Sequence, residues 1–408
     1  MPSKKIMFIH HGGGIGGAPV SMLQLAAALN HSRYSVSAVF TETGPILDIA
    51  RHLEIPAKVV TLLSAFCYGA HVPIRLRMLL PFLYHFRSTI MNAEEFIRNQ
   101  QPDIVHLNTI ALIPAAIGVK RTGVPLVWHV REIPGTNPII RKWQTRIISR
   151  LADIIIVNSN YVKRFIPDSG HIHVIHNAVD FERFDINETT ARLKIRDEFN
   201  IPDDSTVVSM IGTVQEVKGH FLLAESAKEV VKKNPAVRFM IIAGGVKPDY
   251  KYTWKGRVKR ILGKPMDNLD RMRRLISRAG LEQNFIFTGY RQDIPELLAA
   301  SDIVAFLSQK AEGFGRPLIE AMAAGLPVVA TDVGPTKEIL GTGTSILVPT
   351  RNSVAIAKAI IELLGDKDRQ KQLGLKGRKR ANQYFGMDQH VSKIGNIYDS
   401  ILAKSDGR

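Results

Sequence analysis

The sequence predicts an α/β protein of two doubly wound domains, on its length, on short apolar runs that alternate with amphipathic stretches, and on a polar interval that divides those runs into two sets. At 408 residues the chain exceeds what one hydrophobic core usually serves. The first set of runs is Ile6 to Ile9, Val36 to Phe40, Ile104 to Leu107, Leu126 to Trp128, Ile154 to Val157 and Ile172 to Ile175. Brief, mainly apolar runs separated by helical patterns are how parallel strands buried on both faces read. After the polar stretch Asp180 to Asp204 the pattern restarts with Val207 to Ile211, Arg238 to Ala243, Phe285 to Thr288, Ile303 to Leu307, Val328 to Ala330 and Ile346 to Val348. The expected organisation is a first domain over 1–185, a linker over 186–204, a second domain over 205–382 and a terminal helix over 383–408.

Apolar residues make up 45% of the chain and charged residues 22%, an ordinary globular composition. The single cysteine, Cys67, excludes an internal disulfide and a metal site of clustered thiolates. The first apolar run is too short for a signal-peptide core, and no stretch approaches the roughly 20 apolar residues of a spanning helix, so a cytoplasmic chain is expected. Pro73 to Ile90, which carries Arg75, Arg77, Pro81, His85 and Arg87, can lie on a membrane but not cross it. A net charge of +17 calls for anionic company. Without a zinc-finger spacing, a ribonucleoprotein aromatic motif or a basic tail, nucleic acid is not the expected partner. The excess is densest from Lys247 to Arg278, with Tyr250, Tyr252 and Trp254 interleaved. That segment reads either as a solvated helical insertion or as a surface for anionic lipid or a charged acceptor.

Behind the first run comes His11-Gly12-Gly13-Gly14-Ile15-Gly16-Gly17-Ala18-Pro19, then a helical pattern from Val20 to Leu29 with Pro19 suited to a first turn. Glycines let a backbone approach a phosphate, and the following helix N-terminus supplies amides and positive potential. Gly12, Gly14 and Gly17 satisfy the dinucleotide spacing, and Glu42 stands where a ribose-binding acid would. On these residues alone a nicotinamide-dependent oxidoreductase, or a tight turn without a ligand, is open.

More specific is the stretch Ser301-Asp302-Ile303-Val304-Ala305-Phe306-Leu307-Ser308 followed by Glu312-Gly313-Phe314-Gly315-Arg316-Pro317-Leu318-Ile319-Glu320 and, after Ala324-Gly325-Leu326-Pro327, by Val328 to Thr331. It reads as strand, loop, short helix, strand, with Pro317 starting the helix and Gly325 stopping it. Glu312 then lies in a loop at a strand's C-terminal edge, where sheets of this class bind ligands, and Glu320 lies in the first helical turns. One carboxylate can grip sugar hydroxyls and the other ribose hydroxyls, while the amides of Phe314, Gly315 and Arg316 face an anion.

This run resembles the signature of the large retaining glycosyltransferase family called group 1 or family 4. The family is built on the GT-B fold, two Rossmann-like domains facing across a cleft, with a C-terminal helix crossing back to the first domain. The similarity extends over nearly the whole chain. Ile211 to Gly219 resembles the loop whose lysine binds the donor diphosphate, and Lys218 matches it. Thr213 stands where the family often has an arginine. Val174 to Asp180 is similar to the segment entering the linker, Phe287-Thr288-Gly289-Tyr290-Arg291 to the strand end beside the nucleotide base, and Trp128-His129-Val130-Arg131-Glu132 to the strand end that brings a histidine near the transferred sugar. Tyr384-Phe385 to Leu402 looks like the returning helix.

The resemblance implies a UDP- or GDP-sugar as co-substrate, no cofactor, and a glycan or lipid-linked acceptor; the stretch Pro73 to Ile90 and the basic cluster Lys247 to Arg278 add the expectation that this cytoplasmic chain is peripheral on the inner face of the plasma membrane. It gives Glu312 the transferred sugar, Glu320 the ribose, Lys218 the diphosphate, Gly16 and Gly17 a phosphate from the first domain, His129 the sugar and donor phosphate, and Arg131 and Glu132 the acceptor. Departure of the donor diphosphate places negative charge on its β-phosphate, so positive potential matters there more than a nucleophile. A metal requirement is not expected, because the aspartate pair Asp366-Lys367-Asp368 lies between helical segments, where capping explains it. A sugar-nucleotide or anionic-lipid binding protein without turnover is the alternative from another class, and donor hydrolysis without acceptor discriminates against it.

Overall fold

The computed structural model describes residues 3–29, 33–63, 65, 76–243 and 267–406. Cys67, the beginning of the 73–90 stretch and residues 247–266 of the basic segment lie outside the described residues. The chain forms two compact units, Met1–Ala178 with Phe385–Arg408, and Val179–Tyr384.

In the first unit the strands β1 (Lys4–His10), β2 (Tyr34–Phe40), β3 (Ala57–Val59), β4 (Ile104–Leu107), β5 (Leu126–Val130), β6 (Ile154–Val157) and β7 (Ile172–Val174) form one sheet in the order β3-β2-β1-β4-β5-β6-β7. All neighbouring strands are parallel, which requires a covered sheet and explains the unbroken burial of β4 and β5. β3 had no counterpart among the expected runs. It is a three-residue edge strand, half exposed, whose Ala-Lys-Val carries no apolar run.

The last helix, Met387–Asp406, completes this unit. Ile394, Ile397, Tyr398, Ile401 and Leu402, at helical spacing, share a core with Ile6 and Phe8 of β1 and with Leu25 of the Gly17–Ala28 helix. Tyr34 donates to Asp399 at 2.6 Å, and Arg33 pairs with the same carboxylate at 2.5 Å.

The second unit holds β8 (Val207–Ile211), β9 (Arg238–Ile242), β10 (Phe285–Phe287), β11 (Ile303–Phe306), β12 (Val328–Thr331) and β13 (Ser345–Val348) in the parallel order β10-β9-β8-β11-β12-β13. Both sheets change direction beside their first strand, the topology that leaves a crevice at the C-terminal strand ends. Residues 186–204 carry the helix Glu188–Glu198, and its Ile195, with Ile201, is buried against Val207, Met240 and Leu297. Asp302 ties this segment down, accepting from Arg192 at 3.1 Å and from the Val207 amide at 2.7 Å.

The helix Arg316–Ala323 ends as its sequence dictates. Gly325 has φ +71°, its amide donates to Met322 and that of Leu326 to Ala321, the paired bonds of a Schellman stop. Asp366 caps the helix Lys367–Tyr384 by accepting from the Arg369 amide at 2.8 Å.

Two glycines of that last helix give predictions of opposite sign. A Cβ on Gly374 would lie 1.9 Å from the Gly325 carbonyl oxygen, whereas one on Gly377 would meet Met322 at an ordinary 3.5 Å. Gly374→Ala should lower stability by about 1–3 kcal/mol through overpacking. Gly377→Ala should raise it by up to about 1 kcal/mol through helix propensity. Thermal and urea unfolding of both variants checks this, and a stabilised Gly374→Ala would contradict the close helix approach.

Candidate active site residues of the two units

In the second unit the loops after β8 and β11 are stitched together. The Gln309 amide donates to the Val217 carbonyl at 2.7 Å. Gly219 has φ +86°, and a Cβ there would lie 2.1 Å from the Leu307 carbonyl oxygen, so only glycine lets the loops approach this closely. The preceding residue, Lys218, thereby reaches Glu312: Nζ to Oε2 is 2.6 Å. The other oxygen of Glu312 accepts from the Ser308 hydroxyl, and the Ser308 carbonyl is in turn held by Thr331 Oγ1 at 2.6 Å. Gly315, at φ +107°, caps the Arg316–Ala323 helix, and Arg316 Nη2 bonds Glu320 Oε1 at 2.7 Å one turn on. Glu320 is only 9% exposed and Phe314 is buried.

Lys218, Glu312, Phe314, Gly315, Arg316 and Glu320 are thus brought together along two loops and one helix start. Each carboxylate has its own cation, which limits the cost of partial burial. Such a set can bind an anion through its cations and the helix N-terminus, and hydroxyls through its carboxylates. Past the end of β10 Tyr290 is exposed at 47%, and the partial burial of its hydroxyl raises that group's pKa despite Arg316 nearby. Arg291 is already engaged by Asp293, at 2.8 and 2.5 Å, and by Glu198. His220, the first residue of the His220–Lys233 helix, is buried, and that burial lowers its pKa to about 4.

In the first unit the glycine loop follows β1. Gly12 takes φ +74°, and Gly13 lies so close to Thr43 that a Cβ would sit 2.3 Å from its carbonyl oxygen. Gly16 caps the Gly17–Ala28 helix, where a Cβ would make only ordinary contact with Pro19 at 3.7 Å, and Gly16 and Gly17 are exposed. Asn108, just past β4, donates to the Ala18 carbonyl at 3.1 Å and so fixes this helix start to the neighbouring strand end.

His129 lies at the end of β5 and Arg131 just past it. Arg131 is 5% exposed and spends Nε on Asn108 Oδ1 and Nη1 on Asn177 Oδ1, both at 2.5 Å. Its guanidinium therefore binds strand ends together within the unit. Glu132 is half-buried and accepts from the Ile110 amide at 3.3 Å. Around Arg131 stand buried histidines. Burial first, then the Arg131 charge, holds His106 and His129 well below the ordinary histidine range. Burial likewise takes His10 and His390 to about 3, with Arg131 contributing to both. These rings are neutral.

Sequence reasoning missed Ser308 and His220 in the second unit, and His10, His106, Asn108, Asn177, His390 and Tyr398 in the first. One signal was available: His106 sits in the otherwise apolar run Ile-Val-His-Leu, all of it buried. The others are assembled by contacts between distant segments.

Two family models match the chain in succession, one described as Glycosyltransferase Family 4 over residues 15–183 and one as Glycosyl transferases group 1 over residues 191–380. A D-inositol 3-phosphate glycosyltransferase of Corynebacterium kroppenstedtii is 28% identical over 62% of this chain and 54% of its own length, so the chain spans about half of that relative. The UDP-Gal:alpha-D-GlcNAc-diphosphoundecaprenol alpha-1,3-galactosyltransferase of Escherichia coli is 23% identical over 96% of this chain and 95% of its own. Among solved structures, Anabaena HepE in complex with UDP and glucose superposes with a TM-score of 0.78 at 23% identity, covering 97% of this chain and all of that one, which shows the GT-B fold.

The neutral histidines make stability depend on pH. His10 and His390 protonate freely in the unfolded chain, near 6.5, but only near 3 when folded, and His106 and His129 are held low in the same direction, so unfolding takes up protons below 6.5. Their stabilising contribution is complete above about pH 6.5 and is lost as pH falls through that window. In urea titrations between pH 7 and 5, where most carboxylates stay ionised, stability should decline. His390→Gln should make the decline shallower by up to about one proton; a variant with the wild-type slope would show that His390 is not held neutral.

Proposed function

The chain belongs to the group 1 glycosyl transferases, with a first unit of the family 4 type, and we propose that it transfers a hexosyl group from a UDP- or GDP-sugar to a glycan or lipid-linked acceptor, with retention of anomeric configuration. The observation that carries this reading is the Lys218–Glu312 pair beside the capped start of the Arg316–Ala323 helix. It sets a cation, an anion-favouring helix end and a hydroxyl-binding carboxylate within one loop system. Lys218 takes the diphosphate, with the amides of Phe314, Gly315 and Arg316. Glu312 takes hydroxyls of the transferred sugar and Glu320 those of the ribose, while Tyr290 and Arg291 border the base. From the first unit, Gly16 and Gly17 serve a phosphate, His129 serves the sugar, and Glu132 serves the acceptor with Arg131 behind it. No cofactor or metal enters this reading.

In the reaction the bond from the anomeric carbon to the diphosphate breaks and a bond to the acceptor oxygen forms on the same face. The proton of the acceptor hydroxyl passes to the departing phosphate oxygen, whose growing charge Lys218 stabilises. The UDP and glucose held by HepE, and the UDP-galactose and diphosphoundecaprenol in the Escherichia coli relative's name, support a sugar nucleotide as donor and a lipid carrier as acceptor. A peripheral place on the inner face of the plasma membrane fits this reading. No helix among the described residues is long and apolar enough to cross a membrane. The helix Leu76–Gln100 exposes Leu80, Leu83, Tyr84, Arg87 and Met91.

Glu312→Ala should cut turnover by about 100-fold or more, the cost of a sugar misplaced by about 1 Å. Nucleotide affinity should be kept or improved, because Lys218 is released from its pair. Calorimetry for nucleotide binding and product formation for turnover separate the two, and unchanged turnover would refute the assignment. Lys218→Ala should instead weaken nucleotide binding by about 10- to 150-fold, the worth of a charge-assisted hydrogen bond. Sedimentation with vesicles should show binding to anionic but not neutral lipid, weakening with salt; equal binding to both would remove the membrane from the proposal.

A further inference from the structure

A chain of polar contacts runs from the terminal helix to the end of β5 inside the first unit. The Tyr398 hydroxyl lies 2.6 Å from His106 Nδ1, and His106 Nε2 lies 3.2 Å from His129 Nδ1. All three side chains are wholly buried. His129 Nε2 is the end of the chain, buried and without a partner among the described residues. A neutral imidazole carries one N–H, so the three groups have two self-consistent proton arrangements. In the first, Tyr398 donates to His106, His106 donates to His129, and His129 Nε2 carries a hydrogen. In the second, every bond is reversed and Nε2 is a bare acceptor.

Imidazole nitrogen is a better acceptor than a phenol oxygen, and Tyr398 remains protonated because burial pushes its pKa well above the ordinary value. The first arrangement is therefore favoured. The terminal helix that delivers Tyr398 is itself fixed by Asp399 on Tyr34 and Arg33.

We propose that Tyr398 and His106 are positioning residues for His129, fixing the tautomer in which its Nε2–H is offered to an oxygen of the sugar-phosphate donor. This rests on the role given to His129 above. The ring geometry fits: His106 stands 5.4 Å from His129 and 6.0 Å from Tyr398 between centroids, nearly perpendicular to the tyrosine, so the imidazole is gripped from both sides. Without the hydroxyl, His106 can carry its proton on either nitrogen, and His129 loses its fixed direction.

Tyr398→Phe deletes the hydroxyl and keeps the ring. With UDP-glucose, UDP-galactose, UDP-N-acetylglucosamine and GDP-mannose as probes, the donor that is turned over should show kcat lowered by about 3- to 10-fold, the worth of one hydrogen bond, with donor KM within about twofold. In a His129→Ala background the same substitution should cost nothing further, because the relay then has nothing to orient. An equal loss in both backgrounds, or wild-type kcat in Tyr398→Phe, overturns the relay. His129→Ala at wild-type kcat instead overturns the role of His129 and the proposal with it. If Tyr398→Phe does not fold, imidazole 15N spectra of the full-length wild type decide, assigned by the signals lost in His129→Ala: His129 protonated on Nε2 supports the relay, and His129 protonated on Nδ1 refutes it.

Discussion

The ion pair of Lys218 and Glu312 is the constraint on which the second unit's site depends. Its partners are 94 positions apart in sequence and come from loops after β8 and β11, strands that lie side by side because the order of the sheet reverses there. Parallel strands end on the same edge, so neighbouring strands hand neighbouring loops to one place. Gly219 then permits backbone contact with Leu307, and the Gln309 to Val217 bond fixes the spacing. What results is locally neutral, since Arg316 balances Glu320 as Lys218 balances Glu312. A ligand with a diphosphate and hydroxyls can replace both halves of such pairs at once, the diphosphate taking the cation and the hydroxyls the carboxylate. A ligand with only one of these groups leaves a partly buried charge without its partner.

The first unit handles a buried charge differently. Arg131 is gripped by the side-chain carbonyls of Asn108 and Asn177, and it raises the cost of protonating each histidine nearby. Keeping those rings neutral gives each of them one donor and one acceptor, so direction along the network carries information that a row of imidazolium ions would not. The same network ties the glycine-loop helix to β4 through Asn108. A strained glycine turn and a strand-end histidine are thus positioned by one set of contacts.

Residues Phe385 to Arg408 belong to the first unit although the second unit precedes them in the chain. Their apolar stripe at positions 394, 397, 398, 401 and 402 fills the core over β1 and β2, and Tyr398 adds a polar contact where the stripe is deepest. The terminal helix is therefore part of the first unit's interior and not an appendage to it.

Much of this was legible in the sequence, for reasons of local chemistry. Buried parallel strands are mostly apolar, so every strand except β3 announced itself; β3 did not, because a short half-exposed edge strand needs no apolar run. Helix stops such as Gly325 are visible because glycine meets the positive-φ demand at no steric cost, whereas the close approach that Gly219 permits appears only with its contact to Leu307. Glu312 and Glu320 stood out because the loop at a strand end and the helix start between Pro317 and Gly325 place them, and Lys218 because its loop resembles the family's diphosphate-binding loop. What the sequence withheld was partnership. That Lys218 meets Glu312, that Arg291 is taken up by Glu198 and Asp293, and that Arg131 is enclosed by Asn108 and Asn177 are decided by which strand ends the sheets bring together. The burial of His106, His129 and Tyr398 in one hydrogen-bonded line is likewise a property of β4, β5 and the terminal helix packed together. Local pattern fixes what each segment can become, whereas contacts across 23 and 292 positions exist only once the chain has folded.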